Sequence, residues 1–160
     1  MNPDWEARCA ALWSELDKLE PADFVRRMDE LTKELAPVDG IGFFERASAR
    51  DSTGDPAMAV PLYRAAIGAG LEGIRRRRAV IQMASSLRAL GEAMQSAELL
   101  ATEMHRTSDE LDDAVRAFLA LALVDLGKER EAVSLALGAL SRHLPRYNRS
   151  LARYAEGLRG

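Results

Sequence analysis

The chain has 160 residues, 48% of them hydrophobic and 29% charged, a balance that suits one folded domain with its own core and excludes a disordered segment. Its most apolar window, residues 119–126, is interrupted at Asp125 and is too short to cross a bilayer, and the N-terminus lacks the basic region and apolar run of a secretory signal. The net charge of −3 is uneven, with ten acids against five bases in residues 1–39 and fifteen against seventeen afterwards, so the balance gives no reason to expect a nucleic-acid partner.

Helix and short turn alternate along the whole sequence. Trp5, Cys9, Leu12, Leu16 and Leu19 recur at spacings of three and four, which predicts one amphipathic helix. Glu20-Pro21 breaks it, and Pro21 is placed to open a second helix with Phe24, Met28, Leu31 and Leu35 along its inner side. Ala36-Pro37 and Asp39-Gly40 make the next turn. A helix over 43–52 then ends at Gly54, and Asp55-Pro56 caps its partner, which carries Val60, Tyr63 and Ile67. A second hairpin pairs the stripe Val80, Met83, Leu87 and Leu90 with Met94, Ala97, Leu100 and Met104. A third opens on Thr107-Ser108-Asp109-Glu110, which has capping-box form, with Glu110 able to reach back to the Thr107 amide. It pairs Leu119, Leu123 and Leu126 with Val133, Leu137 and Leu140. In a last helix Leu144, Tyr147, Leu151, Tyr154 and Leu158 are expected inside, with arginines outside. Nine helices are expected.

Three frames of the form Ala-X₆-Gly-X₄-(Ala/Ser) lie in register: Ala47/Gly54/Ala59, Ala84/Gly91/Ser96 and Ala120/Gly127/Ala132. A period of 36 or 37 residues is the mark of stacked helical hairpins, none of which can bury its apolar face alone. Ala66, Glu103 and Ala139 stand twelve residues after the glycines. Applied backwards, the frame puts Glu20 at the turn and Trp13 at the small-residue position, so residues 4–36 read as a degenerate first repeat.

These residues resemble tetratricopeptide repeats, whose two helices meet at a glycine turn and pack through small side chains. The stretches "RRRRAVIQMASSLRALG" and "SDELDDAVRAFLALALVDLGKEREAVSLAL" are similar to small bacterial members of that family, and the resemblance covers about residues 40–158. Nineteen arginines against three lysines fit a bacterial source. Two positions depart from the pattern: Glu103 replaces a small residue, and Arg116 stands where a bulky apolar one is usual. The resemblance implies an all-α, right-handed superhelical stack of antiparallel hairpins in one domain over 1–160, with repeats at 40–69, 74–105 and 107–142 and a capping helix at 144–159. It also implies a protein–protein interaction adaptor whose concave groove receives a peptide or protein partner.

In that family the groove positions fall at Phe44, Ser48 and Asp51, then Ile81, Ser85 and Arg88, then Ala117, Leu121 and Val124, with Asn148 and Ala152 able to extend the row. Asp51 and Arg88, one repeat apart, are placed to pair across the floor. Family members that grip a chaperone's C-terminal carboxylate use Lys, Asn and Arg in the groove. Here Phe44, Ser48, Gln82, Arg78 and Ala117 fall in the neighbourhood, which argues against that role.

The run Arg75-Arg76-Arg77-Arg78 opens a helix, where the macrodipole disfavours cations. The 36-residue period sets Arg76 beside Asp112 and Arg77 beside Asp113, which leaves Arg75 and Arg78 as rim candidates for a partner. Arg142, Arg146, Arg149, Arg153 and Arg159 are read as solvating the end helix, since Tyr147 and Tyr154 are expected inside and not free to stack on bases. Self-association is the alternative of another class, through Trp5 and Trp13 on opposite shoulders of the first helix, and binding of a small anion or nucleic acid by the arginines ranks below it.

Catalysis has little support. Cys9 reads as a small core residue, and as a lone cysteine it forms no internal disulfide, which agrees with a reducing, cytoplasmic setting. His105 and His143 fall at helix ends, where free carbonyls await a donor. No metal-ligand spacing, phosphate loop or nucleophile elbow is present, so no enzyme activity, cofactor or metal is expected.

Overall fold

The computed structural model describes residues 3–106 and 108–158. Nine α-helices run through them: α1 (Pro3–Trp13), α2 (Pro21–Thr32), α3 (Gly40–Ser52), α4 (Pro56–Gly68), α5 (Gly73–Ala89), α6 (Ala93–Met104), α7 (Asp112–Asp125), α8 (Glu129–Ser141) and α9 (Asn148–Glu156). The described residues contain no strand. The chain divides into two compact units, 1–79 and 80–160, and α5 carries it from one to the other.

The turns behave as the repeat frame requires. Gly54, Gly91 and Gly127 all have φ between 72° and 87°, a left-handed conformation that costs any residue with a Cβ about 1 kcal/mol or more. The alanines seven residues before them and the small residues five after them are all buried. Asp39 starts α3 three residues earlier than the sequence reading, because its carboxylate accepts from the amides of Ile41 at 2.8 Å and Gly42 at 3.1 Å. Asp55 caps α4 through the Met58 amide at 3.1 Å, with Pro56 in the first turn. The expected capping box rests on Thr107, which lies outside the described residues.

In the first unit α1 packs through Trp5 and Cys9 onto Phe24, Met28 and Ala49. The Trp5 indole N–H donates to the Leu31 carbonyl at 3.0 Å, and Arg8 grips Glu34 through two bonds of 2.7 and 2.6 Å. Trp13 lies tilted on Phe24 with ring centres 5.1 Å apart. The expected single first helix stops at Trp13, and a short 3₁₀ turn over Leu16–Lys18 carries the chain to Pro21.

The core of the second unit gathers Ile81, Ala97, Leu100, Val115, Leu119, Leu123 and Leu135. Several residues expected inside stand outside. Leu90, Met94, Val133 and Leu140 are exposed, and α8 turns Ala132, Leu135 and Ala139 inward in place of Val133 and Leu140. Close helix approach needs small residues at the seam, so the alanines set the phase of α8 and its larger side chains turn to solvent. Glu103, at the same seam position of α6, is buried, and Arg116 is held by Asp113 at 2.9 Å.

The last helix departs most from expectation. It begins at Asn148, not near 144, because Tyr147 adopts a left-handed φ of 65° ahead of it. That break resets the phase, so Ala155 is buried with Leu151 and Ala152 half-buried beside it, while Tyr147 and Tyr154 are exposed. Arg159 lies outside the described residues.

Candidate functional site

The expected groove row divides sharply between closed and open positions. On α3, Phe44 and Ser48 are buried. The Phe44 ring lies 6.4 Å from that of Tyr63, and the exposed Arg78 guanidinium lies over it at 5.2 Å. The Tyr63 hydroxyl reaches Asp51 Oδ2 at 3.2 Å and Ser48 Oγ at 3.5 Å. Burial pushes the Tyr63 phenol well above its ordinary range, with the Ser48 bond opposing the shift and the Asp51 carboxylate adding to it. Phe44 and Ser48 are therefore core residues here, and the trough they were expected to floor is filled by the protein's own side chains.

The arginine run is likewise largely absorbed. Arg75 is no free rim cation: it forms a forked pair with Glu6, 69 residues away, one arm at 3.0 Å, and its Nε lies 3.5 Å from Glu45 Oε1. Glu45 is only 4% exposed, and its other oxygen accepts from the Trp13 indole N–H at 2.7 Å. The Glu6 bond raises the Arg75 pKa, so the guanidinium keeps its charge. Arg77 is buried, and Asp113 bonds to Arg116 at 2.9 Å, to His143 at 3.0 Å and to Arg142 at 3.5 Å. His143 thus meets a carboxylate where helix-end carbonyls were expected. Sequence spacing has no means of finding the Glu6–Arg75–Glu45 cluster, because its members are far apart in the chain and off the repeat period.

Self-association through Trp5 loses its basis, since the ring is fully buried and its N–H is bonded. The neighbouring Cys9 is buried too, and burial, with the Glu45 charge next, pushes its thiol up to about 12. A thiolate is the reactive form, so native Cys9 is expected to react with a disulfide reagent only at the rate of local opening, at least about a hundredfold slower than in denaturant. Stopped-flow thiol titration checks this, and a burst of native reactivity would contradict it.

The open positions lie in the second unit, along α5 and α7. Ile81 is buried in the core, but Ser85 is half-exposed. Arg88 Nη1 bonds to Asp125 Oδ2 at 3.0 Å, joining the ends of α5 and α7. On α7, Ala117, Leu121 and Val124 recur at spacings of four and three and all face solvent, Leu121 at 45% and Val124 at 49% exposure. Opposite them on the same helix, Leu119 and Leu123 line a groove of about 880 Å³ bounded by α6 and α8 and rimmed by Glu98, Glu129 and Arg130.

No group of three His, Cys, Asp or Glu side chains is placed to hold a metal ion among the described residues, and no described helix is long and apolar enough to cross a membrane. The chain matches no curated protein and no solved structure. A family model described as tetratrico peptide repeat matches residues 40–158. That segment holds all three glycine turns and their buried small residues, and the fold is the helical-hairpin scaffold on which this family builds protein interaction modules. The chain belongs to the tetratricopeptide repeat proteins.

Proposed function

We propose that this protein is a protein-interaction adaptor that binds a peptide segment of its partner along the α5/α7 face of the second unit. The observation that carries the reading is the exposure of Leu121 and Val124 one turn apart on α7, on the side away from the core they were available to join. Two aliphatic side chains left half in water at helical spacing offer an anchor for apolar residues of a partner. The Arg88–Asp125 pair at the edge supplies one donor group and one acceptor group that fix direction, and half-exposed Ser85 adds a hydroxyl. Of the other sequence-derived positions on the first unit, Asp51 and Arg75 are half-exposed and Arg78 is exposed. The protein acts in the cytoplasm in this reading, with Cys9 reduced, and without catalysis of its own.

A peptide-display selection on the wild-type chain, with counter-selection on Leu121→Glu/Val124→Glu, tests the proposal. Both positions are at the surface, so the double variant is expected to keep its helical circular dichroism and melt within about 0.5 kcal/mol of wild type. Selected peptides are expected to carry apolar residues three or four apart beside a charged one, and to bind the variant at least about tenfold more weakly. Peptides that bind both proteins equally would move the site off this face.

A further inference from the structure

We propose that the outer face of α9 binds single-stranded nucleic acid, independently of the peptide face. The last seventeen described residues, 142–158, hold four arginines against one glutamate. Arg146, Arg149 and Arg153 are exposed, and none of them has a carboxylate partner among the described residues. Among the cations of the first unit, Arg8, Lys18, Arg26, Lys33, Arg50 and Arg75 are each paired with an acid, whereas exposed Arg27 is not. Arg149 and Arg153 are one turn apart on α9, and Arg146 lies two residues before its first residue.

Two exposed aromatic rings stand among these arginines in the chain. Tyr147 is 78% exposed and Tyr154 64%, although burying either ring would stabilise the fold. Tyr147 is also the one residue other than glycine with positive φ among those described. Such a conformation costs roughly 1–2 kcal/mol, and it places a large ring in water where a glycine would turn the chain without strain. Arg153 lies 5.4 Å over the Tyr154 ring, so cation and ring already present one combined surface.

Unpaired guanidinia neutralise phosphates, and exposed phenol rings offer flat faces on which unpaired bases stack. A duplex hides its base faces and would use only the arginines. An anionic membrane asks for an apolar face, and that of α9 is already used: Ala155 is buried, with Leu151 and Ala152 half-buried beside it. An acidic protein would satisfy the charges but gives no reason to hold two rings out.

The test is fluorescence anisotropy of a labelled oligouridylate on the full chain at low salt, with a duplex of equal length, polyglutamate and phosphatidylserine vesicles as competitors. Saturable binding is expected, with log affinity falling against log salt at a slope of about −2 for three phosphates on a single strand. Tyr147→Ala and Tyr154→Ala are each expected to weaken it roughly 5- to 100-fold, and Tyr154→Phe to leave it within about twofold, because stacking needs the ring and not the hydroxyl. Arg149→Glu/Arg153→Glu should abolish it. All four positions are exposed, and unchanged melting keeps a loss of binding separate from a loss of fold. Absence of binding, tyrosine variants that bind like wild type, or equal competition by duplex, polyglutamate or vesicles would each overturn the proposal. The Leu121→Glu/Val124→Glu variant should bind the oligonucleotide normally, so failure of the peptide reading and failure of this one are read apart.

Discussion

Phe44→Ala is expected to lower stability by about 3–5 kcal/mol, seen as a fall in the urea midpoint with an unchanged slope. The ring is fully buried against Tyr63 and the Arg78 guanidinium, so its removal leaves a cavity that the flanking helices cannot close. The tilted contact with Tyr63 accounts for about 0.5–1.5 kcal/mol of the loss, and the rest is apolar transfer and the cavity. The contrast with Leu121→Ala makes the measurement decisive. Leu121 is half in water, and its truncation is expected to change stability by no more than about 0.5 kcal/mol while weakening partner binding. The family resemblance counted both Phe44 and Leu121 as groove positions. If Phe44→Ala unfolds at the wild-type midpoint, Phe44 is groove floor after all.

Arg75→Met is expected to destabilise the protein by about 2–4 kcal/mol. Glu45 is 4% exposed, and without Arg75 its carboxylate keeps the Trp13 indole N–H but loses its counter-charge. Glu6 loses both arms of its forked pair at the same time, and with them a tie between α1 and α5. Much of the loss is the penalty of a stranded buried charge and not the worth of the pair, so adding Glu45→Gln in the Arg75→Met background is expected to recover a substantial part of it. A double-mutant cycle in chemical denaturation reads both quantities. A cost below about 0.5 kcal/mol for Arg75→Met would mean a solvated surface pair, and Arg75 would return as a candidate contact for a partner.

Local chemistry made much of the fold legible. A glycine turn needs positive φ and a close helix crossing needs small residues, and both demands act over a dozen residues at fixed spacing, so they leave a period in the sequence. Asp55-Pro56 announced the start of α4 for the same reason: the cap and the first-turn proline act on their own turn. The α8 stripe was misplaced because Val133 and Leu140 outrank Ala132 and Ala139 in hydrophobicity but cannot fit a close seam. At that seam size decides, and hydrophobicity does not.

The α9 phase failed at one residue. Reading 144–159 as a single helix carried the stripe through Tyr147 and Tyr154, but the left-handed turn at Tyr147 starts a new helix at Asn148 and rotates both rings outward. Nothing in residue type announces a tyrosine at positive φ.

By itself, then, the sequence determined the class of fold, the helical hairpins and their turns, since each depends on interactions within one or two helical turns. Only the tertiary structure decided which groove positions are open, that Glu6 and Glu45 share Arg75, and that Tyr147 and Tyr154 face water. Those outcomes depend on how helices far apart in the chain compete for the same buried space and the same charge, and that competition is settled only when they are packed together.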